Sequence, residues 1–174
     1  MDIAALNDCQ RCDLHKTRTN ILLGEGDLKA QIMFVAQAPG EIEDKENRMF
    51  MGPSGQMLDK LFAAAGIIRN KVYITNLIKC HLPGNRRPKQ REIKACSVFL
   101  EEEIRIIKPQ IIVPLGYYAT QYLFSRYSSR QLTRKEYPGL IGKVYPMQDL
   151  IIFPVSHPAS LLYNHEFIAG NILN

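Results

Sequence analysis

Three kinds of chemistry-bearing residue stand out along the 174-residue chain. The first is a run of carboxylates, Glu41, Glu43 and Asp44, directly after the apolar stretch 32–36 and the Pro39–Gly40 turn. A strand feeding a glycine-bounded loop places such groups where open α/β sheets bind ligands, at the carboxyl ends of their strands. The second is a set of polar residues at further strand ends: Asn76 after 72–75, and His157 before Pro158 after 150–155. The third is four cysteines, Cys9, Cys12, Cys80 and Cys96, spaced C-x2-C and C-x15-C. In a reducing compartment four such thiols point to a metal site rather than two disulfides. The wide second pair departs from a zinc ribbon and suits a four-thiolate iron–sulfur cluster. Spacing leaves zinc and iron–sulfur both open.

The elements that must position these groups follow from periodicity. Strands are predicted at 32–37, 72–75, 111–115 and 150–155. Helices are predicted from Ser54, as N-cap, to a stop at Gly66, over 89–107, and from Gly116 over 117–124. Residues 1–24 read as a short helix and loop carrying the first cysteine pair. Residues 167–174 are apolar enough to dock as a helix. The strands are apolar and uncharged, and helices separate them, which implies a parallel sheet covered on both faces. The fold class is α/β, three-layer α/β/α with four parallel strands, in one domain spanning 1–174. Three loops, 37–50, 76–88 and the His157–Pro158 turn, would then converge at one sheet edge.

Composition narrows the class of function. The chain is 46% apolar and 22% charged, with net charge +5 from 22 basic and 17 acidic side chains. Its apolar runs fall far short of the ~20 residues of a membrane span, and its start lacks a secretory signal. A cytoplasmic, prokaryotic-type location is expected. Six cations, Lys79, Arg86, Arg87, Lys89, Arg91 and Lys94, share residues 79–94 with one acid, Glu92. A second group comprises Arg126, Arg130, Arg134 and Lys135. Such clusters suit a phosphate backbone; a solvated surface explains either one equally well.

Five segments carry a resemblance: 36–44, Phe50 to Gly52, 74–80, the Asn85-Arg-x-Pro88 loop and 157–160. In order and spacing, with the cysteines, they resemble the family four uracil-DNA glycosylases, the iron–sulfur branch of that superfamily, from Cys9 to about Leu162. The resemblance implies a monofunctional DNA repair enzyme. It would flip uracil out of DNA and hydrolyse its N-glycosidic bond, leaving an abasic site. Phe50 would stack on the base. The Asn76 amide would pair with O4 and N3–H, a pattern that cytosine reverses. His157 would stabilise the departing base through O2. Glu43 would orient water or stabilise the sugar cation, and Asn85 occupies a position tied to activity. Gln37 and Ala38 would lie beside the base, Arg86 and Arg87 against phosphates, and Leu161 as a wedge in the vacated stack. The four cysteines would hold a structural [4Fe–4S] cluster, with zinc the alternative.

The family pattern places a carboxylate where this chain has Gln37. This leaves three outcomes open: ordinary uracil removal, a spectrum shifted towards hypoxanthine or xanthine, or weak activity. A non-catalytic DNA-binding metalloprotein is the reading from another class. No histidine-containing insertion of the covalent-trapping relatives is present, so turnover is expected. The expected partner is DNA carrying deaminated bases, bound by a monomer. A sliding clamp or downstream repair enzymes are the candidate protein partners.

Overall fold

A computed structural model describes residues 8–162. The expected helix at 167–174, and the first seven residues of the N-terminal segment, lie outside that range. Six strands form one sheet: β1 (Glu25–Gly26), β2 (Ile32–Ala36), β3 (Tyr73–Asn76), β4 (Ile111–Pro114), β5 (Tyr145–Pro146) and β6 (Ile151–Ile152). Their order is β1-β3-β2-β4-β6-β5. The four expected parallel strands make the centre, β3-β2-β4-β6. The expected count of four becomes six because β1 and β5 add antiparallel edges of two residues each. The β6 ladder continues past its two regular residues. Phe153 and Val155 donate to the carbonyls of Ile112 and Pro114 at 3.0 and 3.1 Å, while Pro154 between them has no N–H to give.

The helices are α1 (Glu41–Glu46), α2 (Pro53–Ala64), α3 (Gln90–Ile107) and α4 (Tyr117–Ser128). Alternation along β2 sends Met33 and Val35 to one face and Phe34 and Ala36 to the other. The first face packs on Ile93, Leu100 and Ile104 of α3 and on Ala119 and Leu123 of α4. The second packs on Leu58 and Phe62 of α2. This is the expected three-layer arrangement. Gly52, not Ser54, is the N-cap of α2, because Pro53 takes the first helical position, where its missing N–H costs nothing. No helix among the described residues is long and apolar enough to cross a membrane.

The chain passes from β2 to β3 on one side and then returns across β2 to β4 on the other. The strand order thus reverses at β2/β4, the point where open parallel sheets leave a crevice beyond their carboxyl ends.

Candidate active site

A cleft of about 610 Å³ opens at that crevice. Gln37, Ala38, Glu43, Phe50, Asn76, Asn85 and His157 all line it. They come from the end of β3 and from the segments that follow β2, β3 and β6, so the structure brings together seven residues spread over 121 positions, from 37 to 157. Arg86 and Arg87 line a second hollow of about 270 Å³, which shares Gln37, Asn85 and His157 with the cleft. Leu161 is half-buried in the 3-10 turn 158–161, and its neighbour Leu162 lies on the cleft wall.

The three neighbouring acids separate cleanly. Glu41 is exposed and pairs with Lys45 at 2.7 Å. Asp44 is buried and accepts from the backbone N–H groups of Thr19 and Asn20 at 2.8 and 3.1 Å, which ties the N-terminal segment down. Glu43 lines the cleft, as the Lys45-paired Glu41 does, and is fixed there by backbone. Its Oε1 accepts the Gly52 N–H at 2.8 Å. A side chain at Gly40 would run into its other oxygen. The helix α1, absent from the sequence reading, contributes to this division by turning Glu43 away from Glu41 and Asp44, which lie three residues apart on neighbouring positions of one face.

Phe50 is 7% exposed and adopts φ 55°, a left-handed conformation that is costly for an aromatic residue. It is held there by Gly55, where any Cβ would overlap the Phe50 carbonyl. The Phe50 ring centroid lies 6.2 Å from that of His157, the planes tilted by 27°. Asn76 is buried at the end of β3, opposite Ala36 of β2, and its Nδ2 reaches the Met49 sulfur at 3.3 Å.

His157 is fixed by its own backbone. Its Nδ1 accepts the Ala159 N–H at 3.2 Å, so in the neutral ring the proton sits on Nε2. Burial pushes the imidazole below its ordinary pKa, partly opposed by the Glu43 charge. The result is a neutral donor on the cleft wall. Gly116, at φ 92°, makes room for it, since a Cβ there would press on the His157 Cβ at 3.3 Å.

Beneath the cleft lies a network that sequence reasoning missed. Lys79, counted above in a basic surface cluster, is fully buried. Its ammonium donates to Thr75 Oγ1 (2.6 Å), the Asn76 carbonyl (2.8 Å) and Glu103 Oε2 (2.5 Å). Glu103 also accepts from Gly24 N–H at 2.9 Å and Thr75 Oγ1 at 2.8 Å. A charged lysine immediately before a buried cysteine, with a glutamate on the apolar stripe of α3, is the signal that was available.

The four cysteines line one pocket together with Arg18 and Lys79. Among the described residues, no three Cys, His, Asp or Glu side chains are arranged to grip a single metal ion. The surroundings nevertheless offer hydrogen bonds to sulfur. Arg18 Nη1 reaches Cys80 Sγ at 3.6 Å, and Lys79 N–H reaches Cys96 Sγ at 3.2 Å. Burial pushes both thiols up, Cys96 to about 12.

The Uracil DNA glycosylase superfamily model matches residues 23–171. The type-4 uracil-DNA glycosylase of Sulfurisphaera tokodaii is 45% identical over 159 residues, 90% of this chain and 72% of that protein. Two proteins of Pyrobaculum aerophilum separate the branches. Its type-4 uracil-DNA glycosylase is 37% identical over 171 residues, covering 93% of this chain and 85% of that protein. Its type-5 enzyme is 29% identical over 154 residues, with 80% and 66% covered. With the cleft at the sheet's switch point and these matches along most of its length, the chain belongs to the uracil-DNA glycosylase superfamily.

Proposed function

We propose that the protein removes uracil from DNA by hydrolysing the N-glycosidic bond, and so opens base-excision repair. The observation that carries this reading is the neutral His157, its Nε2–H free to point at a leaving base, on the same cleft as Phe50, Asn76 and Glu43. The flipped base lies against the Phe50 ring, where base–aromatic stacking contributes about 1–3 kcal/mol. The Asn76 amide gives one donor and one acceptor to its edge. Asn76 is buried and held through its carbonyl by Lys79, and its Nδ2 rests on the Met49 sulfur, an orientation that suits uracil over cytosine.

As the C1′–N1 bond breaks, its electrons pass to the base and negative charge gathers on O2. The His157 Nε2–H stabilises that charge without having to give up its proton. Glu43, acid-facing on the sugar side, supports the oxocarbenium character and orients the water whose oxygen adds to C1′. The water's proton balances the released base, and the products are free uracil and an abasic site. Asn85, at φ 52° in the 83–85 turn, closes the outer rim of the cleft. Arg87, and Arg86 within its Glu92 pair, face the DNA backbone, and Leu161 fills the vacated stack. Gln37 gives the base region an amide in place of a charge, so uracil is the principal substrate and hypoxanthine or xanthine the bases to which the spectrum extends.

Cys9, Cys12, Cys80 and Cys96 hold a [4Fe–4S] cluster in this reading, with zinc as the alternative. The fit rests on four thiols facing one pocket and on N–H donors aimed at two of the sulfurs. A bound metal supplies the positive charge that turns buried thiols into thiolates; its part is to fix the N-terminal segment against α3. The chain acts as a single glycosylase unit and a monomer, in the cytoplasm, with a sliding clamp or downstream repair enzymes as its candidate protein partners.

The test is base release from oligonucleotides carrying uracil, hypoxanthine or xanthine, read as alkali-sensitive breaks. Uracil release that falls at least a hundredfold in Asn76→Ala and His157→Ala is expected. Absence of release from wild-type protein with its metal loaded would refute the proposal.

A further inference from the structure

We infer that the 270 Å³ hollow beside the cleft seats the phosphodiester adjoining the flipped nucleotide, with Arg134 as its principal cation. The inference rests on the glycosylase reading above. It begins from an account of the charges. Of the two basic clusters, Arg126 is spent on Glu101 (3.1 Å), Arg130 on Glu136 (3.0 Å) and Arg91 on Asp13 (2.6 Å). Arg86 is spent on Glu92 through two bonds of 2.9 and 2.6 Å, and Lys79 is buried on Glu103. Arg134 has no carboxylate partner among the described residues.

What holds Arg134 is aromatic. Its guanidinium carbon sits 4.6 Å from the Tyr117 ring centre and 5.0 Å from that of Tyr118. One nitrogen donates to the Tyr118 hydroxyl at 2.8 Å. The Tyr117 hydroxyl in turn donates to the Leu132 carbonyl at 3.1 Å, and its ring meets Tyr137 edge-on at 5.9 Å. The guanidinium is therefore planar, fully charged and already ordered, with most of its N–H donors unspent. A cation that has given up its side-chain freedom before the ligand arrives binds with less entropic loss.

The position selects the ligand. Arg134, Tyr117 and Tyr118 line the hollow that shares Gln37, Asn85 and His157 with the base cleft. A strand that places its base in the cleft must carry its backbone over that shared rim, and stacked nucleotides advance only about 3.4 Å along a strand. Arg87, exposed on the same hollow, supplies a second cation. Phosphate recognition of this kind carries no sequence information, as suits an enzyme that meets damage in any context.

The test uses full-length metal-loaded protein and a fluorescent oligonucleotide with a central stable abasic nucleotide, so that binding needs no excision. Single phosphates on either side are replaced by neutral methylphosphonates, one at a time. Wild-type affinity is expected to fall about tenfold at one position. Arg134→Ala should lose about the same on unmodified DNA, become insensitive to that substitution, and shallow the log K against log salt slope by about 0.7–0.9. Arg126→Ala, in the same cluster but paired, should behave as wild type. Tyr118→Phe, which removes only the tether, should lose part of the effect. An Arg134→Ala protein with native melting temperature and wild-type response to every methylphosphonate overturns the inference. Wild-type protein that releases no uracil yet shows the Arg134-dependent effect supports the subsite while overturning the glycosylase reading.

Discussion

Lys79→Met isolates the buried network below the cleft. The substitution keeps an unbranched apolar stem, one atom shorter, and removes three hydrogen bonds, to Thr75, Asn76 and Glu103. Stripping one partner from a buried ion pair costs about 3–5 kcal/mol, because the other charge is left behind. Here Glu103 retains the Gly24 N–H and Thr75 hydroxyl, with the Tyr73 hydroxyl at 3.4 Å. The stranded carboxylate is thus partly solvated by the protein, and the loss should fall near the low end, about 3 kcal/mol. That is a large share of the 5–15 kcal/mol typical of a domain. Urea unfolding of the metal-loaded protein measures it. The Lys79→Met/Glu103→Leu double variant leaves no unpaired charge and should recover part of the loss. Because the Asn76 carbonyl loses its donor, single-turnover uracil release should also slow, by about tenfold for a lost bond of some 1.4 kcal/mol. A single-variant loss under about 1 kcal/mol, or a double variant less stable than the sum of its parts, refutes this reasoning.

Three further outcomes are expected. Gly55→Ala forces the Phe50 carbonyl to move, so stability should drop by about 1–3 kcal/mol, with uracil excision falling further than the folded fraction does; unchanged kinetics would show that the Phe50 conformation is irrelevant to the cleft. Glu43→Gln and Asp44→Asn should diverge, the first losing rate with stability nearly intact. The second should lose about 1–3 kcal/mol, since two backbone N–H groups lose a charged acceptor, with the rate per folded molecule retained; melting curves beside single-turnover rates decide. The pH profile of kcat/KM should be flat at neutrality and fall on an acid limb below the ordinary histidine value of 6.5, since burial favours neutral His157. The unfolded chain takes up that proton first, so stability from this group is also lost as pH falls below 6.5. Glu43 raises the His157 value, so Glu43→Gln should move the limb further down; an upward move would contradict the assignment.

Much of the fold was legible because its signals are local. The apolar runs at β2, β3, β4 and β6 and the stripe on α3 declare themselves within a few residues. β1 and β5 do not, since two residues show no period. α1 was hidden inside a polar loop, because its six residues carry one apolar side chain, Ile42, and so show no period. The site's residues were legible through motif spacing, but their division of labour was not. Choosing Glu43 over Glu41 and Asp44 requires knowing what sits 24 residues before Asp44, at Asn20. The basic clusters misled for the same reason. The acids that neutralise Lys79 and Arg126 lie 24 and 25 positions away. Charge counted along a chain is blind to such partners.

The pairing of β3 with β2 has a consequence for how this protein tolerates change. Thr75 meets Glu103 on one side of the sheet, and Asn76 meets Met49 on the other. A two-residue repeat thus partitions the molecule, with buried formal charge behind the sheet and the reading amide in front. Deleting one residue within β3 would exchange the two, placing a hydroxyl where the base is read and a carboxamide beside the ionic pair. Point substitutions in β3 can be absorbed one side at a time, whereas a one-residue deletion destroys support and recognition together.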